Sequence, residues 1–293
     1  MGFELAIILE QGSKVIIQGM TGNFGSFHSA AMLAYGTNIV AGVTPGKGGT
    51  TVNNLPVYDD VLSAVREQGA EISGILVPAP FVRDAVLEAL EAGIRKIVCL
   101  VEGVPVRDTI LMKKKLMEAQ ALMIGPNSPG LISPGCGVVG FMPGHIYRPG
   151  PVGIVARSGT FSYLVADSLT QAGLGQSTAL GIGGDPISGV NYETVLSMFE
   201  EDPQTEVIVL IGEIGRTSEE EAARFISEKL KKPVISIILG ETAPPDKQMG
   251  HAGAIITAGR GDYDSKVRAL RQAGIEVTST LGGLVQAVKE HLQ

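Results

Sequence analysis

The chain has few of the residues that would indicate a secreted, metal-bound or membrane protein. It contains no tryptophan, and its two cysteines, Cys99 and Cys136, lie in unrelated sequence contexts without the spacing of metal ligands. Such cysteines provide neither a disulfide framework nor a zinc site, and they fit a reducing compartment. A hydrophobic run long enough to span a bilayer and a basic N-terminal leader are also absent. We therefore expect no bound metal, no membrane association and a cytoplasmic location, or the mitochondrial matrix for a processed eukaryotic chain.

Positive charge is scarce as well. The sequence has 23 Lys and Arg against 30 Asp and Glu, which gives a formal net charge of −7. This balance argues against a nucleic-acid or membrane surface, although it allows a local basic pocket for a phosphorylated ligand. The length of 293 residues and the 44% of hydrophobic residues are typical of two globular α/β domains with buried sheets. We expect the partners to be small molecules or proteins.

Short β-branched runs alternate with helical patterns, and this alternation predicts an α/β fold with parallel sheets. A Pro/Gly-rich connection at 131–151 interrupts it, and the proline residues predict no regular element there. We predict a Rossmann-like domain over 1–130 and a flavodoxin-like, doubly wound domain over 131–293. The predicted strands are Lys14–Gln18, Asn38–Val43, Ile72–Val77, Lys96–Val101, Leu122–Ile124, Val152–Ala156, Ser177–Ile182, Val207–Ile211, Val234–Leu239 and Ile275–Thr278.

A glycine-rich turn, Gly19–Gly25, follows the first predicted strand and opens the first helix, where backbone N–H groups favour a phosphate. Its spacing is one residue longer than the dinucleotide fingerprint, and it also suits a purely structural turn. No Asp or Glu occurs between Gln11 and Tyr58, so the second strand has no acid for the ribose hydroxyls of NAD. This disfavours a Rossmann dehydrogenase. With Lys47 in the loop after the second strand, a phosphorylated nucleotide such as coenzyme A fits better.

Three loops of the second half are predicted to meet at one edge of its sheet: Arg157–Tyr163, Gly181–Pro186 and Gly212–Gly215. The first begins a helix, so that Ser158, Gly159 and Thr160 offer hydroxyl and backbone donors to a phosphate, or simply cap the helix.

A histidine, His251, lies in the loop Met249–Ile256, between residues too small to shield its ring. Imidazole is a good nucleophile near neutral pH, and small neighbours let anionic groups approach it. Glu213 can accept a hydrogen bond from one ring nitrogen and leave the other to attack. The alternatives are a loop histidine without chemistry and a solvated carboxylate. We interpret His251 as a covalent carrier.

Motifs along nearly the whole chain resemble the α subunit of succinyl-CoA synthetase, also called succinate–CoA ligase. The segments that carry the resemblance are Thr44–Thr50, Gly125–Gly130, Pro143–Ile146, Arg157–Tyr163, Gly181–Ile187, Asp202–Glu206, Gly212–Gly215 and Met249–Ile256. The resemblance implies an ADP- or GDP-forming acid–CoA ligase of the tricarboxylic acid cycle. It also implies a β subunit whose ATP-grasp domain binds ATP or GTP with Mg²⁺, in an αβ or α2β2 assembly.

The same resemblance implies roles for individual residues. His251 becomes phosphorylated, Glu213 orients it, Tyr163 lies at the acid, and the helix start at Ser158, Gly159 and Thr160 holds the phosphate. The residues implied to contact coenzyme A are Thr21, Gly22, Asn23, Phe24, Lys47, Leu100, Val101 and Glu102.

Three positions depart from the family pattern: Ser128 replaces a cysteine, Leu164 an acid and Arg216 a glycine. A lost carboxylate and a gained guanidinium near the acid would suit a substrate with an additional or differently placed carboxylate. Malate–CoA and citrate–CoA ligases therefore stay as alternatives to succinate among small di- and tricarboxylic acids. A CoA-binding regulatory module without catalysis is the non-enzymatic alternative.

Overall fold

The computed structural model describes residues 8–157, 159–244, 247, 249–251, 253–256 and 261–292. Contacts divide it into two compact units. The N-terminal unit comprises Leu9–Gly144 and Ile187–Val190, and the C-terminal unit comprises His145–Pro186, Asn191–Gln293 and the described part of Met1–Ile8. No helix in the described ranges is long and apolar enough to cross a membrane.

The N-terminal unit is built on a sheet with the order β3-β4-β2-β1-β5-β6-β7, in which only the short edge strand β3 is antiparallel to its neighbour. The central strand β1 is fully buried and pairs in parallel with β2 and β5. The strands are β1 (Val15–Gln18), β2 (Ile39–Val43), β3 (Thr51–Val52), β4 (Leu55–Tyr58), β5 (Ile72–Ile75), β6 (Lys96–Cys99), β7 (Leu122–Ile124), β8 (Gly130–Ser133) and β9 (Gly137–Gly140), and the helices are α1 (Asn23–Tyr35), α2 (Val61–Gln68), α3 (Val82–Glu91) and α4 (Val106–Glu118).

The C-terminal unit repeats this architecture with its strands in the order β14-β13-β12-β10-β11. Every residue of β12 is buried, as expected for the interior of a sheet covered on both faces. The strands are β10 (Pro149–Ala156), β11 (Gln176–Gly181), β12 (Val207–Glu213), β13 (Val234–Leu239) and β14 (Glu276–Thr278), and the helices are α5 (Gly159–Gln171), α6 (Tyr192–Glu201), α7 (Ser218–Lys229), α8 (Tyr263–Gln272) and α9 (Leu281–His291).

The predicted α/β class, with two sheets made largely of parallel strands, is confirmed. The prediction that 131–151 contains no regular element is wrong. Strands β8 and β9 form an antiparallel hairpin there, and β10 already begins at Pro149. The prolines do not prevent this, because Pro129 precedes β8 and Pro134 lies in the turn between the two strands, where no ladder hydrogen bond is needed.

The hairpin of β8 and β9 belongs to the N-terminal unit by its contacts. Thr37 Oγ1, at the end of α1, donates to the carbonyl of Val138 at 2.7 Å and accepts from its N–H at 2.9 Å. The compact unit therefore continues to Gly144, whereas the sequence places the domain limit at 130. The limits 1–130 and 131–293 stay a prediction about folding domains.

Candidate functional site

The ends of three strands assemble the site in the C-terminal unit. Strand β10 lies between β11 and β12 and is parallel to both, so the carboxyl ends of the three strands share one edge of the sheet. The loops that follow are in contact, because the guanidinium of Arg216, after β12, donates to the carbonyl oxygens of Gly184 and Asp185, after β11. The predicted convergence of these loops is present in the structure.

The histidine loop is a compact turn fixed to this edge. The N–H of Met249 donates to the carbonyl of Ala254 at 2.8 Å, and the N–H of Ala254 donates to the carbonyl of His251 at 3.0 Å. The N–H of Gly253 donates to the carbonyl of Gly184 at 3.3 Å, which joins the turn to the loop after β11. The imidazole is thus presented by a folded loop at the same edge of the sheet.

An apolar cluster anchors the far side of this loop. Ala254 and Ile256 are buried together with Ile214, which directly follows β12. Gly215 adopts a φ of 89° there, and a Cβ at this position would collide with the carbonyl oxygen of Gly253. Only glycine therefore fits this close approach between the two loops.

The ring of His251 faces the carboxylate of Glu213. Its Nδ1 lies 2.9 Å from Oε1 and 2.9 Å from Oε2, and the side chains are 29% and 8% exposed. A carboxylate only accepts hydrogen bonds, so this geometry places a proton on Nδ1, and in the neutral imidazole the lone pair is then on Nε2. The ring is neither sealed in an apolar interior nor detached from the fold. The arrangement is that of an oriented nucleophile next to a buried acid.

Further buried charged side chains lie next to the pair of His251 and Glu213. Arg157, directly after β10, is 1% exposed, and its Nη2 lies 3.3 Å from Oε1 of Glu213. Its Nη1 donates to the carbonyl of Gly215 at 3.2 Å and lies 3.5 Å from Oε1 of Glu219. Burial lowers the pKa of Arg157, but attraction by Glu219 and Glu213 outweighs it, and the net pKa is raised. The guanidinium is therefore charged and lies between two carboxylates.

The start of α5 follows Arg157. Helix α5 begins at Gly159, and Thr160 is exposed at its N-terminus, while Ser158 lies outside the described residues. Tyr163 is half-buried on the same helix, and burial raises its pKa to about 12. Its phenol is therefore protonated at neutral pH and can donate a hydrogen bond. The phosphate role of Ser158, Gly159 and Thr160 and the acid role of Tyr163 stay predictions.

The glycine turn of the N-terminal unit brings backbone close to backbone. A Cβ at Gly19, which has a φ of 86°, would lie 2.9 Å from the carbonyl oxygen of Leu76, and one at Gly25 would collide with the carbonyl oxygen of Gly19. Helix α1 starts at Asn23 with Gly22 as its N-cap residue. Its exposed first turn is a site where backbone N–H groups can bind a phosphate.

The other predicted ligand residues lie at the ends of β2 and β6. Thr21 Oγ1 donates to Thr44 Oγ1 at 3.2 Å, which joins the glycine turn to the loop that carries the exposed Lys47. After β6, Glu102 is exposed and the carbonyl of Val101 accepts from the N–H of Asn127 at 2.8 Å.

The neighbouring residue Leu100 is only 5% exposed. Its predicted ligand contact stays a prediction. The exposed aromatic ring of Phe24 packs edge-on against His28 at a centroid distance of 4.4 Å.

Two departures from the family pattern have structural partners. The hydroxyl of Ser128, which is 4% exposed, accepts from the N–H of Gly130 at 2.9 Å and so holds the turn before β8. Arg216 binds the carbonyls of Gly184 and Asp185, and burial lowers its pKa to about 10. The guanidinium thus joins two loops of the site, a role that the sequence does not suggest. Leu164 is 51% exposed on α5.

Sequence reasoning gave no individual role to four residues of this site: Gly184, Arg157, Glu219 and Lys266. The first two lie in loops that were predicted to meet there, whereas Glu219 and Lys266 were missed. A Cβ at Gly184 would lie 2.6 Å from Cγ of His251, so this glycine makes room for the ring. The side chains of Glu219 and Lys266 are 0% exposed and are joined at 2.5 Å. The sequence does contain a signal for Lys266, because this lysine lies in the apolar stripe of α8 with Val267 and Leu270, where a charged residue needs a buried partner.

The N-terminal unit has a glycine turn at the edge of its sheet, and the C-terminal unit has an imidazole–carboxylate pair. Two family models match the chain in this order: the CoA binding domain at residues 10–103 and the CoA-ligase at residues 155–275. These matches place the chain in the class of CoA ligases.

Curated relatives identify the family within this class. Subunit alpha 2 of the ADP-forming succinate–CoA ligase of Archaeoglobus fulgidus is 54% identical over 288 residues, which is 98% of this chain and 100% of the relative. The corresponding alpha subunit of Aquifex aeolicus is 50% identical over 291 residues, or 99% of this chain and 95% of the relative. The chain belongs to the family of ADP-forming succinate–CoA ligase α subunits.

Solved structures share the fold. The ATP citrate lyase of Methanosaeta concilii superposes with a TM-score of 0.89 at 25% identity, over 98% of this chain and 51% of the lyase. The chain therefore spans about half the length of that protein. A dinucleotide-forming acetyl-coenzyme A synthetase of Ca. Korarchaeum cryptofilum superposes with a TM-score of 0.76 at 20% identity, over 94% of this chain and 60% of the synthetase.

Proposed function

We propose that this chain is the α subunit of a nucleoside-diphosphate-forming acid–CoA ligase that acts on succinate and carries the phosphoryl group on His251. The contact of Nδ1 with both oxygens of Glu213 at 2.9 Å carries the proposal, because it orients the ring for attack through Nε2. The relatives described above are named for ADP formation and for succinate, which supports the choice of acid.

The reaction is a relay of three displacements. Nε2 of His251 attacks the γ-phosphorus of a nucleoside triphosphate, and the bond to the β-phosphate oxygen breaks to release the diphosphate. A carboxylate oxygen of succinate then attacks the phosphorus, and the N–P bond breaks to give the acyl phosphate and free imidazole. The thiolate of coenzyme A attacks the acyl carbon, inorganic phosphate leaves, and the thiol proton passes to solvent.

The partner supplies the nucleotide site in this proposal. The loop that carries Lys47 has Gly48 where a P-loop has the hydroxyl that binds magnesium, so it is no substitute for a kinase site. We assign ATP or GTP and Mg²⁺ to a β subunit with an ATP-grasp domain, in an αβ or α2β2 assembly. The names of the relatives as alpha subunits support a partner.

The phosphorylated imidazole carries close to two negative charges in the next step. The N-terminus of α5, at Gly159 and Thr160, offers backbone donors and a positive dipole end for such a group. We assign the hydroxyl of Ser158, which precedes them in the sequence, to the same phosphate. Hydrogen bonds of this kind stabilise the phosphate without forming a covalent bond to it, so its transfer potential is retained. Tyr163, which is protonated at neutral pH, donates to the carboxylate of the acid.

Coenzyme A binds at the edge of the N-terminal sheet. The exposed first turn of α1 takes a phosphate group, and the exposed Lys47 adds an ammonium. The proposed contact residues are Thr21, Gly22, Asn23, Phe24, Lys47, Leu100, Val101 and Glu102.

Replacing Lys47 by alanine should raise the dissociation constant of coenzyme A by about 10- to 150-fold, because a charge-assisted hydrogen bond to phosphate contributes about 1.5–3 kcal/mol. Isothermal titration of the complex with coenzyme A measures this. The matched control is Lys114→Ala, a lysine that is 73% exposed on α4 of the same unit. Equal affinities for the Lys47 variant and the wild type would remove Lys47 from the site.

Introducing a methyl group at Gly184 should displace the imidazole. The added Cβ would lie 2.6 Å from Cγ and 2.7 Å from Cδ2 of His251, so the ring must leave its contact with Glu213. Misplacement by about 1 Å costs about 100-fold in rate, and we expect this loss in the phosphorylation of Gly184→Ala. Gly282→Ala, where the added Cβ meets nothing within 4 Å, should phosphorylate normally.

An acid panel tests the proposed reaction. The chain, co-expressed with its partner, is assayed for loss of the coenzyme A thiol with succinate, malate or citrate and with ATP or GTP. Thioester formation with succinate supports the proposal, and a clear preference for malate or citrate would replace succinate by that acid. If coenzyme A binds but no acid and nucleotide pair consumes the thiol, the chain is a binding module and the proposal fails.

A further inference from the structure

Four buried side chains of alternating charge form a row in the C-terminal unit, which we call the file: Lys266, Glu219, Arg157 and Glu213. The row ends at the imidazole of His251. Lys266 Nζ lies 2.5 Å from Oε2 of Glu219, whose Oε1 lies 3.5 Å from Arg157. Arg157 lies 3.3 Å from Glu213, which contacts His251 at 2.9 Å. Resting on the proposed function, we propose that Lys266 and Glu219 are positioning residues, which act through Arg157 and Glu213 to hold His251 in its Nδ1–H tautomer.

The file is closed to solvent over most of its length. The side chains of Lys266 and Glu219 are 0% exposed and that of Arg157 is 1% exposed. Charges attract one another strongly in such a medium, and an uncompensated charge there is unfavourable. Each member therefore depends on its neighbours for charge balance.

The position of the Arg157 guanidinium depends on the charges on either side of it. Its guanidinium lies 3.3 Å from Glu213 on one side and 3.5 Å from Glu219 on the other. Within the described residues, its Nε and Nη2 have no hydrogen-bond partner, so the contact with Glu213 is ionic rather than a directed hydrogen bond. A stronger pull from Glu219 would draw the guanidinium away from Glu213.

Lys266 determines how strongly Glu219 attracts the Arg157 guanidinium. Besides Glu219, its Nζ reaches Oε2 of Glu220 at 2.9 Å and donates to the carbonyl of Arg216 at 2.9 Å. Close contact with the ammonium offsets the negative charge of Glu219, which leaves Arg157 available to Glu213. Lys266 also holds the backbone of the loop that joins β12 to α7.

Other ionisable groups also lie near the file. Arg216 provides a second guanidinium on the side of Gly184, and its pKa is lowered to about 10 by burial. The buried Asp185 attracts this guanidinium, as Glu219 and Glu213 do. The hydroxyl of Tyr192, which is fully buried on α6, donates to the carbonyl of Ile211 at 2.7 Å.

The consequence for the imidazole is a fixed proton. With Arg157 beside one oxygen, the Glu213 carboxylate is held in place, so that it accepts from Nδ1–H. Only that tautomer presents the lone pair of Nε2 to the phosphorus. When the file is broken, the ring has both tautomers and fewer molecules are ready to attack.

The test removes one charge and then restores the balance. In the complex with the partner subunit, Lys266→Met should lower the rate constant of His251 phosphorylation between tenfold and 100-fold, which is the range for partners that orient a reacting group. In Lys266→Met/Glu219→Gln the unpaired charge is gone, and the rate should return to within about threefold of the wild type. Arg268→Met, an exposed cation of the same helix, should show no change.

A second readout separates positioning from stability. In complexes that contain 15N-histidine, the ring nitrogens of His251, assigned by comparison with His251→Ala, should report the Nδ1–H tautomer in the wild type and in the double variant. Lys266→Met should show a mixture. If Lys266→Met does not yield folded complex, Arg157→Lys gives the same test, because an ammonium cannot bridge both carboxylates and the Gly215 carbonyl.

The outcomes are distinct. A Lys266→Met protein with the wild-type rate and tautomer, or a double variant no faster than the single one, overturns the positioning role. The tautomer is measured without phosphorylation, so a wild-type complex that shows Nδ1–H but never becomes phosphorylated refutes the proposed function and leaves the file intact.

Discussion

Replacing His251 by alanine is expected to abolish phosphorylation of this chain and, with it, all formation of acyl-CoA by the complex. The imidazole is the nucleophile of the first step and the leaving group of the second, so no neighbouring group substitutes for it. Nucleophile removal costs about 10⁶-fold in enzymes that depend on one. Incubation of the complex with γ-labelled ATP or GTP, followed by an acid-lability test of the label, measures this loss.

The control for this experiment is His291→Ala, because His291 is exposed at the end of α9 and lies 3.9 Å from Glu276 rather than at the site. This variant should label like the wild type. Binding of coenzyme A should be the same in both variants, since its proposed residues lie in the other unit. Normal, acid-labile labelling of His251→Ala would falsify the assignment of the carrier.

Converting Glu213 to glutamine should keep the shape of the site but lose the orientation of the ring. The amide presents a donor as well as an acceptor, so it also binds the tautomer with the proton on Nε2, which cannot attack. A wrong tautomer of this kind costs about 10²–10⁴-fold, and we expect a loss in that range in the phosphorylation rate constant. Single-turnover labelling of the complex measures the rate.

The free energy of unfolding should also be lower in Glu213→Gln than in the wild type. Arg157 then loses one of its two carboxylates, and breaking a buried ion pair costs about 3–5 kcal/mol. Denaturant unfolding measures the change, with Glu228→Gln on the exposed face of α7 as the control. A Glu213→Gln protein that phosphorylates as fast as the wild type would show that the carboxylate does not orient His251.

The sequence predicted the second domain's site well where the signal is local. Glycines around His251, the acid at the end of β12 and the helix start after β10 are visible in the order of residues, because parallel strands bring their carboxyl ends to one edge. The contact between His251 and Glu213, which are 38 positions apart, follows from that rule and is present at 2.9 Å.

The prediction failed where the fold overrides local composition. The prolines of 131–151 suggested an irregular connection, yet β8 and β9 pair there with Pro134 in the turn between them, and β10 begins at Pro149 itself. Arg216 was expected near the acid, and spacing gave no hint that it donates to the carbonyls of Gly184 and Asp185. A side chain's partner depends on which loops the sheet order brings together, and spacing along the chain does not contain that information.

The sequence by itself determined the α/β class, the glycine turn and the identity of the imidazole and its carboxylate, because each depends on periodicity or on a short motif. Only the tertiary structure decided that Lys266, Glu219 and Arg157 form a buried file behind that pair. These residues come from α8, α7 and the end of β10, and charges so far apart in the chain become partners only when the packed core excludes water around them.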